Sequence, residues 1–391
     1  MKKIIAAAAG LMLAGAMAST AFADAGVTFG GDARVRYYYQ DNYNLVDSKD
    51  THWASRVRLQ FKAESKGGAY AVGRFRLADA TWDGTQKTAK GGEASNLWVD
   101  KGYIGVPMGP VVVEGGMGYN TLNEFFRADI DTDFIRIKYA TDATTLVGFF
   151  EKWDEYNDAL VVDPVTATAR LVKEAANEDD DVDLWGMHAV QKFGGAWEGT
   201  FTGVYLDDQQ SDLDGFGADM FVGGTAGTIG IAAELAYKEA DLQGSEDDGL
   251  GGYFGVNVPV GAMSISATAG FTKDGYVASG DFDAVGEVYC PLIMLSDDRM
   301  ISTGTLIGDG GDTLFVNVAP AFKVSEQLSL VGILAYADID TTIADSALEV
   351  SGEVDYTISD GAVLRVMAGY LDIADVEENP VGLGIELEVS Y

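Results

Sequence analysis

The last eleven residues alternate strictly between apolar and polar or small side chains and end on an aromatic residue. One face carries Val381, Leu383, Ile385, Leu387, Val389 and Tyr391, and the other carries glycines, Glu386, Glu388 and Ser390. Successive side chains of a strand point to opposite faces, so residues 381–391 are predicted to form a strand with one apolar face. A tilted strand of about ten residues is long enough to cross a bilayer. The pattern therefore favours a membrane-crossing strand over a strand of a soluble sandwich.

Similar runs recur along the chain, for example at residues 229–238 and 263–272. Eight tight turns alternate with nine longer and mostly acidic connections, which makes eighteen strands with both chain ends on the short-turn side. Outer-membrane barrels have short periplasmic turns and long external loops. The sequence thus predicts an all-β, transmembrane antiparallel β-barrel of about 16–18 strands. Sixteen strands would result if marginal runs merge, and residues 282–289 could be strand or loop.

The two ends of the chain complete this prediction. Residues 381–391 should pair with residues 27–40 to close the barrel, with Glu386 and Glu388 beside Arg34 and Arg36. Upstream, Lys2 and Lys3 precede an apolar run that ends in small residues around Ala23. This is the pattern of a secretory signal peptide. We therefore predict a signal peptide over residues 1–23 and one barrel domain over residues 24–391.

Composition narrows the function. The formal net charge is −35, with 61 acidic and 26 basic residues, and a protein that grips nucleic acid needs a basic surface. We therefore expect no nucleic-acid partner. Enzymes of the barrel class need a nucleophile and a positioned base, yet the only histidines, His52 and His188, show no such pairing in the sequence. No enzyme, cofactor or metal site is predicted.

Basic residues concentrate on one face of the first three predicted strands. The residues between them along each strand, such as Val35, Val57 and Phe75, are apolar. An arginine facing lipid near the bilayer midplane costs roughly 2–4 kcal/mol, so these side chains should face the lumen. Burying so many like charges without water is also prohibitive, which argues for a water-filled pore. Alternatively, they pair with Asp32, Glu64 and Asp79 in a plugged barrel. The predicted basic residues are Arg34, Arg36, Arg56, Arg58, Lys62, Arg74 and Arg76.

One segment resembles a known family. Residues 102–106 (GYIGV), a tight turn, residues 111–116 (VVVEGG) and residues 119–121 (YNT) resemble the fourth and fifth strands of Gram-negative general diffusion porins. The resemblance implies an outer-membrane location among lipid and lipopolysaccharide, a homotrimer, and a third loop folded into the barrel. By position, Glu124, Asp129 and Asp131 would be the constriction acids of that loop, facing the arginines.

Opposed rows of charge would orient polar solutes and set ion preference in such a constriction. We therefore expect passive diffusion of ions and small hydrophilic solutes, with a weak preference for cations because the loops are acidic. The alternative is a substrate-selective porin for a sugar, phosphate or organic acid. A non-conducting structural or adhesive barrel is a further alternative.

Overall fold

Eighteen antiparallel strands form one sheet that closes on itself in the computed structural model. β1 (Gly26–Asp41) pairs with β2 (Lys49–Glu64) on one side and with β20 (Val381–Ser390) on the other, as predicted for the closing strand. The predicted signal peptide lies outside the described residues. The structure describes residues 26–42, 49–82, 97–120, 122–127, 130–155, 158–162, 169–173, 181–209, 213–243, 247–279, 282, 307–308, 311–340 and 345–391.

The remaining elements follow one another around the ring in chain order, apart from a separate hairpin of β8 and β9. Among the described residues, no helix is long and apolar enough to cross a membrane. The elements are β3 (Tyr70–Thr81), β4 (Leu97–Met108), β5 (Val111–Asn120), β6 (Ile130–Ala140), β7 (Thr144–Glu155), β8 (Asp158–Val162), β9 (Ala169–Lys173), β10 (Asp181–Gly194), β11 (Trp197–Asp208), β12 (Leu213–Ala226), β13 (Ile229–Lys238), α1 (Ala240–Gln243), β14 (Gly249–Val260), β15 (Met263–Lys273), β16 (Asp312–Lys323), β17 (Leu328–Asp340), β18 (Ser346–Ser359) and β19 (Ala362–Ile373).

The connections confirm the prediction of eighteen strands rather than sixteen. Eight tight turns at one end of the barrel include residues 109–110, 227–228 and 360–361, and the nine connections at the other end include 156–180 and 274–311. Two of those nine, 209–212 and 341–345, are as short as some of the tight turns. They are shorter than expected because the flanking strands extend further than the alternation indicated.

The outward face of the barrel is an apolar belt. Large side chains on it are about half exposed, with Ile135 at 56%, Trp185 at 53% and Leu334 at 54%. Their strand neighbours Phe134, Leu184 and Ala335 are buried on the inward face. An outward apolar band is what a closed barrel presents to lipid, so the fold is that of a transmembrane β-barrel.

Two connections fold into the barrel. Phe125 and Phe126, in the connection between β5 and β6 (the third loop), are 0% and 2% exposed. Tyr276 and Phe282, in the connection between β15 and β16, are 0% and 2% exposed. All four belong to one buried apolar cluster with inward residues of the sheet. The inward-folded third loop was predicted, and the second inward connection was not.

Candidate functional site: two facing walls of the lumen

The predicted arginines line one side of the lumen, which we call the basic wall: Arg34, Arg36, Arg56, Arg58, Arg74 and Arg76 on β1–β3. Arg34 lies directly opposite Arg56, and Arg58 directly opposite Arg76, in the strand register. The five arginines that form ion pairs have side chains between 13% and 22% exposed. Since the strands' alternate residues face outward, the sequence brings these like charges together on one solvated surface.

Single carboxylates bridge pairs of arginines within the basic wall. Asp32 accepts from Arg56 Nη2 at 3.3 Å and from Arg58 Nε at 2.7 Å. Asp100 accepts from Arg74 Nε at 2.9 Å and from Arg76 Nε at 2.6 Å. Each carboxylate carries one negative charge between two cations, so positive charge is left over on this wall.

Asp100 was missed because of a local irregularity. Plain alternation along β4 places Lys101 and Tyr103 on the inward face and Asp100 on the outward face. The register with β3 shifts between Arg74 and Phe75, so that Asp100 is an extra residue between partners. Such a β-bulge re-aims a side chain, and Asp100 is consequently 4% exposed and bonded to the arginines inside the barrel.

The closing strand supplies a third bridge. Glu386 lies opposite Arg36 in the register and is ion-paired with it, and Glu386 Oε1 also accepts from Arg365 Nη1 at 2.6 Å. Glu388 lies opposite Arg34. Within the described residues, Arg34 has no ion pair of 4 Å or less. It is therefore the cation of the basic wall with the least local compensation.

Lys62 faces the same lumen but lies nearer the tight turns. Its Nζ is 2.9 Å from Glu64 and 4.8 Å from the centre of the Tyr70 ring, and its side chain is 44% exposed. Of the acids expected to neutralise the wall, Asp32 pairs with arginines and Glu64 pairs with Lys62. The side chain of Asp79 lies outside the described residues.

Aromatic side chains accompany the basic wall. The Tyr119 ring centre lies 4.8 Å from Arg74 Cζ and 4.8 Å from Lys101 Nζ, and the Tyr119 hydroxyl bonds to Arg76. Trp98 lies 5.7 Å from Arg76 Cζ. Tyr119 follows a glycine-rich stretch at the end of β5. That position was the one sequence feature that could have indicated an aromatic residue beside the arginines.

The third loop rests on the other side of the lumen. Asn123 Nδ2 donates to Thr200 Oγ1 at 2.7 Å and also to Asp219, which ties the loop to β11 and β12. Arg127 forms two hydrogen bonds with Glu151 of β7, at 3.1 and 2.5 Å. The loop thus leans against β7–β12, away from the arginines.

Of the three predicted constriction acids, Glu124 is described fully. It is exposed, and it lies near Glu234 of β13 and Tyr253 of β14. Asp131 lies in β6, but its side chain is outside the described residues, and so is all of Asp129. Around the ring, eight strands separate β2 from β13 in either direction, so Glu124 lies on the wall that faces the arginines.

That facing surface, the inner face of β11–β14 beneath the two inward connections, we call the covered wall. Gly251 lets the rings approach, because a Cβ there would lie 2.5 Å from Tyr276 and 2.9 Å from Phe125. Gly217 does the same for Phe126, at 3.0 Å. The sequence signal was the recurrence of inward glycines on neighbouring strands, which makes room for rings.

Hydrogen bonds join the two inward connections. Tyr276 Oη donates to Phe125 O at 3.0 Å, and the Ser279 backbone N–H donates to the same oxygen at 3.2 Å. Complete burial, together with the charges of Glu234 and Asp219, raises the pKa of Tyr276 well above that of a free tyrosine. Its hydroxyl therefore keeps its proton and remains a donor.

The histidines lie on separate strands. His188 Nδ1 on β10 is 2.9 Å from Thr202 Oγ1, and His52 Nδ1 on β2 is 2.9 Å from Asp50. Five barrel strands, β3–β7, lie between β2 and β10 along the shorter arc. His52 and His188 thus do not meet in one site.

Comparison with known proteins matches this geometry to solved porins. No family model and no curated protein sequence matches the chain. A BenF-like porin from Pseudomonas fluorescens Pf-5 is 12% identical, with a TM-score of 0.65 over 95% of this chain and 100% of that one. OccAB1 of Acinetobacter baumannii is 15% identical, with a TM-score of 0.60 over 93% and 96%. OpdK of Pseudomonas aeruginosa, solved with vanillate, is 12% identical, with a TM-score of 0.60 over 95% and 100%. At these identities the likeness concerns the fold, and it confirms the predicted transmembrane antiparallel β-barrel.

Proposed function

We propose that this chain forms a water-filled channel in a Gram-negative outer membrane that favours small organic anions over neutral solutes. The observation that carries the proposal is the basic wall, in which Asp32 and Asp100 each serve two arginines and Arg34 has no ion pair within the described residues. A guanidinium binds a carboxylate through two parallel N–H groups. A carboxylate solute could therefore replace water on this wall.

The solved relatives support a selective channel over a general diffusion porin. One of them, OpdK, was crystallised with vanillate, which is an aromatic carboxylate. The aromatic neighbours Tyr119 and Trp98 would suit a flat solute of that kind. This proposal replaces the expected weak cation preference at the constriction, while the acidic loops would still attract cations to the mouth.

General diffusion of ions and small solutes is the second candidate. It is favoured by the compensation of the basic wall, since Arg36 is matched by Glu386 and the four paired arginines of β2 and β3 share two carboxylates. Association in threes stays a prediction, and conductance steps grouped in threes would support it.

The test is flux into liposomes that contain the purified protein. Vanillate should enter faster than an uncharged sugar of similar size. Replacing Arg56, Arg58, Arg74 and Arg76 with glutamine should remove that preference and shift the reversal potential in a salt gradient toward cations. Lys62→Gln is the matched control, because Lys62 shares the lumen face but lies by the tight turns, and a small effect is expected. Equal entry of the two solutes through the unaltered protein would contradict the proposal.

A further inference from the structure

We infer that Arg127 is a positioning residue that keeps the third loop's positive charge out of the bore, so that the loop presents the Glu124 carboxylate to the basic wall. The inference rests on the proposed channel function and deepens it. The charged side chains of the third loop that the structure describes fully are Glu124 and Arg127. Glu124 is exposed, whereas Arg127 is 8% exposed.

Arg127 is held on β7 through its two terminal nitrogens, while its Nε is buried without a hydrogen-bond partner in the described structure. Its Nη1 and Nη2 donate to the two oxygens of Glu151, which is 0% exposed, and its Cζ lies 5.2 Å from the centre of the Trp153 ring. Trp153 Nε1 donates to Glu151 Oε2 at 3.2 Å, which orients the carboxylate. Two parallel bonds and a nearby aromatic ring fix a guanidinium more closely than a lysine ammonium could be fixed.

The backbone couples this ion pair to Glu124. The Arg127 N–H donates to Asn123 O at 2.8 Å, and the Arg127 carbonyl accepts from the Leu122 N–H at 3.0 Å. These bonds close residues 122–127 into one tight turn with Glu124 at its exposed side. A displacement of Arg127 must therefore move Glu124 as well.

Removing one partner of a buried ion pair leaves a charge that cannot stay buried. Without the Glu151 charge, Arg127 would turn toward solvent, and the exposed side of the turn is the side that carries Glu124. The net charge of the turn would then approach zero. Without the Arg127 charge, by contrast, the lumen-facing charge would become no less negative.

The experiment compares two single charge changes by reversal potential in planar bilayers. Glu151→Gln should raise the anion-to-cation permeability ratio about twofold, as expected for one elementary charge about 10 Å from the ion path at about 0.1 M salt, where that distance is one Debye length. Arg127→Glu should lower that ratio by a similar factor, because the new carboxylate cannot stay next to Glu151. Two changes that merely loosened the loop would shift the ratio in the same direction.

Three further variants complete the design. The double variant Arg127→Glu with Glu151→Arg re-forms the pair in reverse and should restore the wild-type ratio. Glu124→Gln should raise the ratio without added current noise, since the turn stays docked. Arg127→Lys replaces either single variant that fails to fold. It keeps the positive charge, so it should keep the wild-type permeability ratio.

Shifts of the same sign in the two single variants, or no shift in either, would overturn the role of Arg127. Absence of conductance in the unaltered protein would instead overturn the proposed channel. The two failures are therefore distinguishable.

Discussion

The basic wall and the covered wall are built on the same alternation but differ in what fills the space next to them. The inward residues of β1–β3 are long and charged, and they remain partly exposed. On the covered wall, inward glycines at 217 and 251 receive rings from two connections, and Phe125 and Tyr276 are fully buried. Side-chain length on the wall therefore decides which half of the lumen is filled by the inward connections.

The acids of the two walls show the same difference. Asp32 and Asp100 on the basic wall each meet two arginines. Asp219 and Glu234 on the covered wall are 1% and 5% exposed, and each has one oxygen without a hydrogen-bond partner in the described structure. Charge on the basic wall is partly balanced by ion pairs at partly exposed side chains. On the covered wall, the acids are buried beneath the packed loop.

The largest effect should come from removing a ring of the covered wall. Phe125→Ala deletes the ring that stacks on Tyr276 at 5.2 Å and meets Phe282 at 4.8 Å. A buried Phe→Ala change costs about 3–5 kcal/mol, here from the free energy that holds the loop against the wall. Single-channel conductance and current noise should both rise as the loop detaches.

Phe125→Leu is the control for this change, because it keeps most of the apolar volume and should have a smaller effect on conductance. If Phe125→Ala showed the conductance and current noise of the wild type, charge rather than ring packing would hold the third loop against the covered wall.

The barrel itself was predictable from local rules. Alternation predicted which residues of β13 and β15 face inward, and the succession of short and long connections predicted 16–18 strands, because each rule depends on local sequence alone. The pairing of β1 with β20 was predicted from the need to close the barrel, and the observed register places Glu386 and Glu388 opposite Arg36 and Arg34. What alternation could not show was a bulge, since one extra residue at Asp100 reverses every face beyond it.

The position of the basic wall was predictable from the sequence, whereas the prediction for the facing wall was incomplete. The arginines were found because a charge on the lipid face is costly, which leaves one place for them. The docking of Arg127 on Glu151 and of Tyr276 on Phe125 joins residues far apart in sequence. Such pairs depend on where two loops meet inside the barrel, and no period in the sequence encodes that meeting point.

The second-largest effect should come from removing a carboxylate of the basic wall. Asp100→Asn leaves Arg74 and Arg76 without their shared carboxylate, and hydrogen bonds to charged groups contribute about 1.5–3 kcal/mol. The folded barrel should unfold at a lower temperature in detergent, and its reversal potential should shift toward anions.

Asp355→Asn provides the comparison for Asp100→Asn. Asp355 shares Arg365 with Glu353 and Glu386, so the loss of one carboxylate leaves that arginine paired. A larger change in unfolding temperature from Asp355→Asn than from Asp100→Asn would contradict the importance of shared carboxylates on the basic wall.

The smallest effect should arise at the seam behind the basic wall, where the last residue touches β1 and β2. The Tyr391 N–H and carbonyl bond to Gly31 at 3.0 and 2.9 Å, and the Tyr391 hydroxyl donates to Arg58 O at 3.1 Å. Tyr391→Phe removes the hydroxyl bond alone and keeps the ring and the backbone bonds. Since Tyr391 is 59% exposed, we expect a loss of about 0.5–1 kcal/mol in the free energy of unfolding and an unchanged reversal potential. A shift in reversal potential would show that the hydroxyl positions Arg58 in the lumen, so that the seam and the basic wall act as one unit.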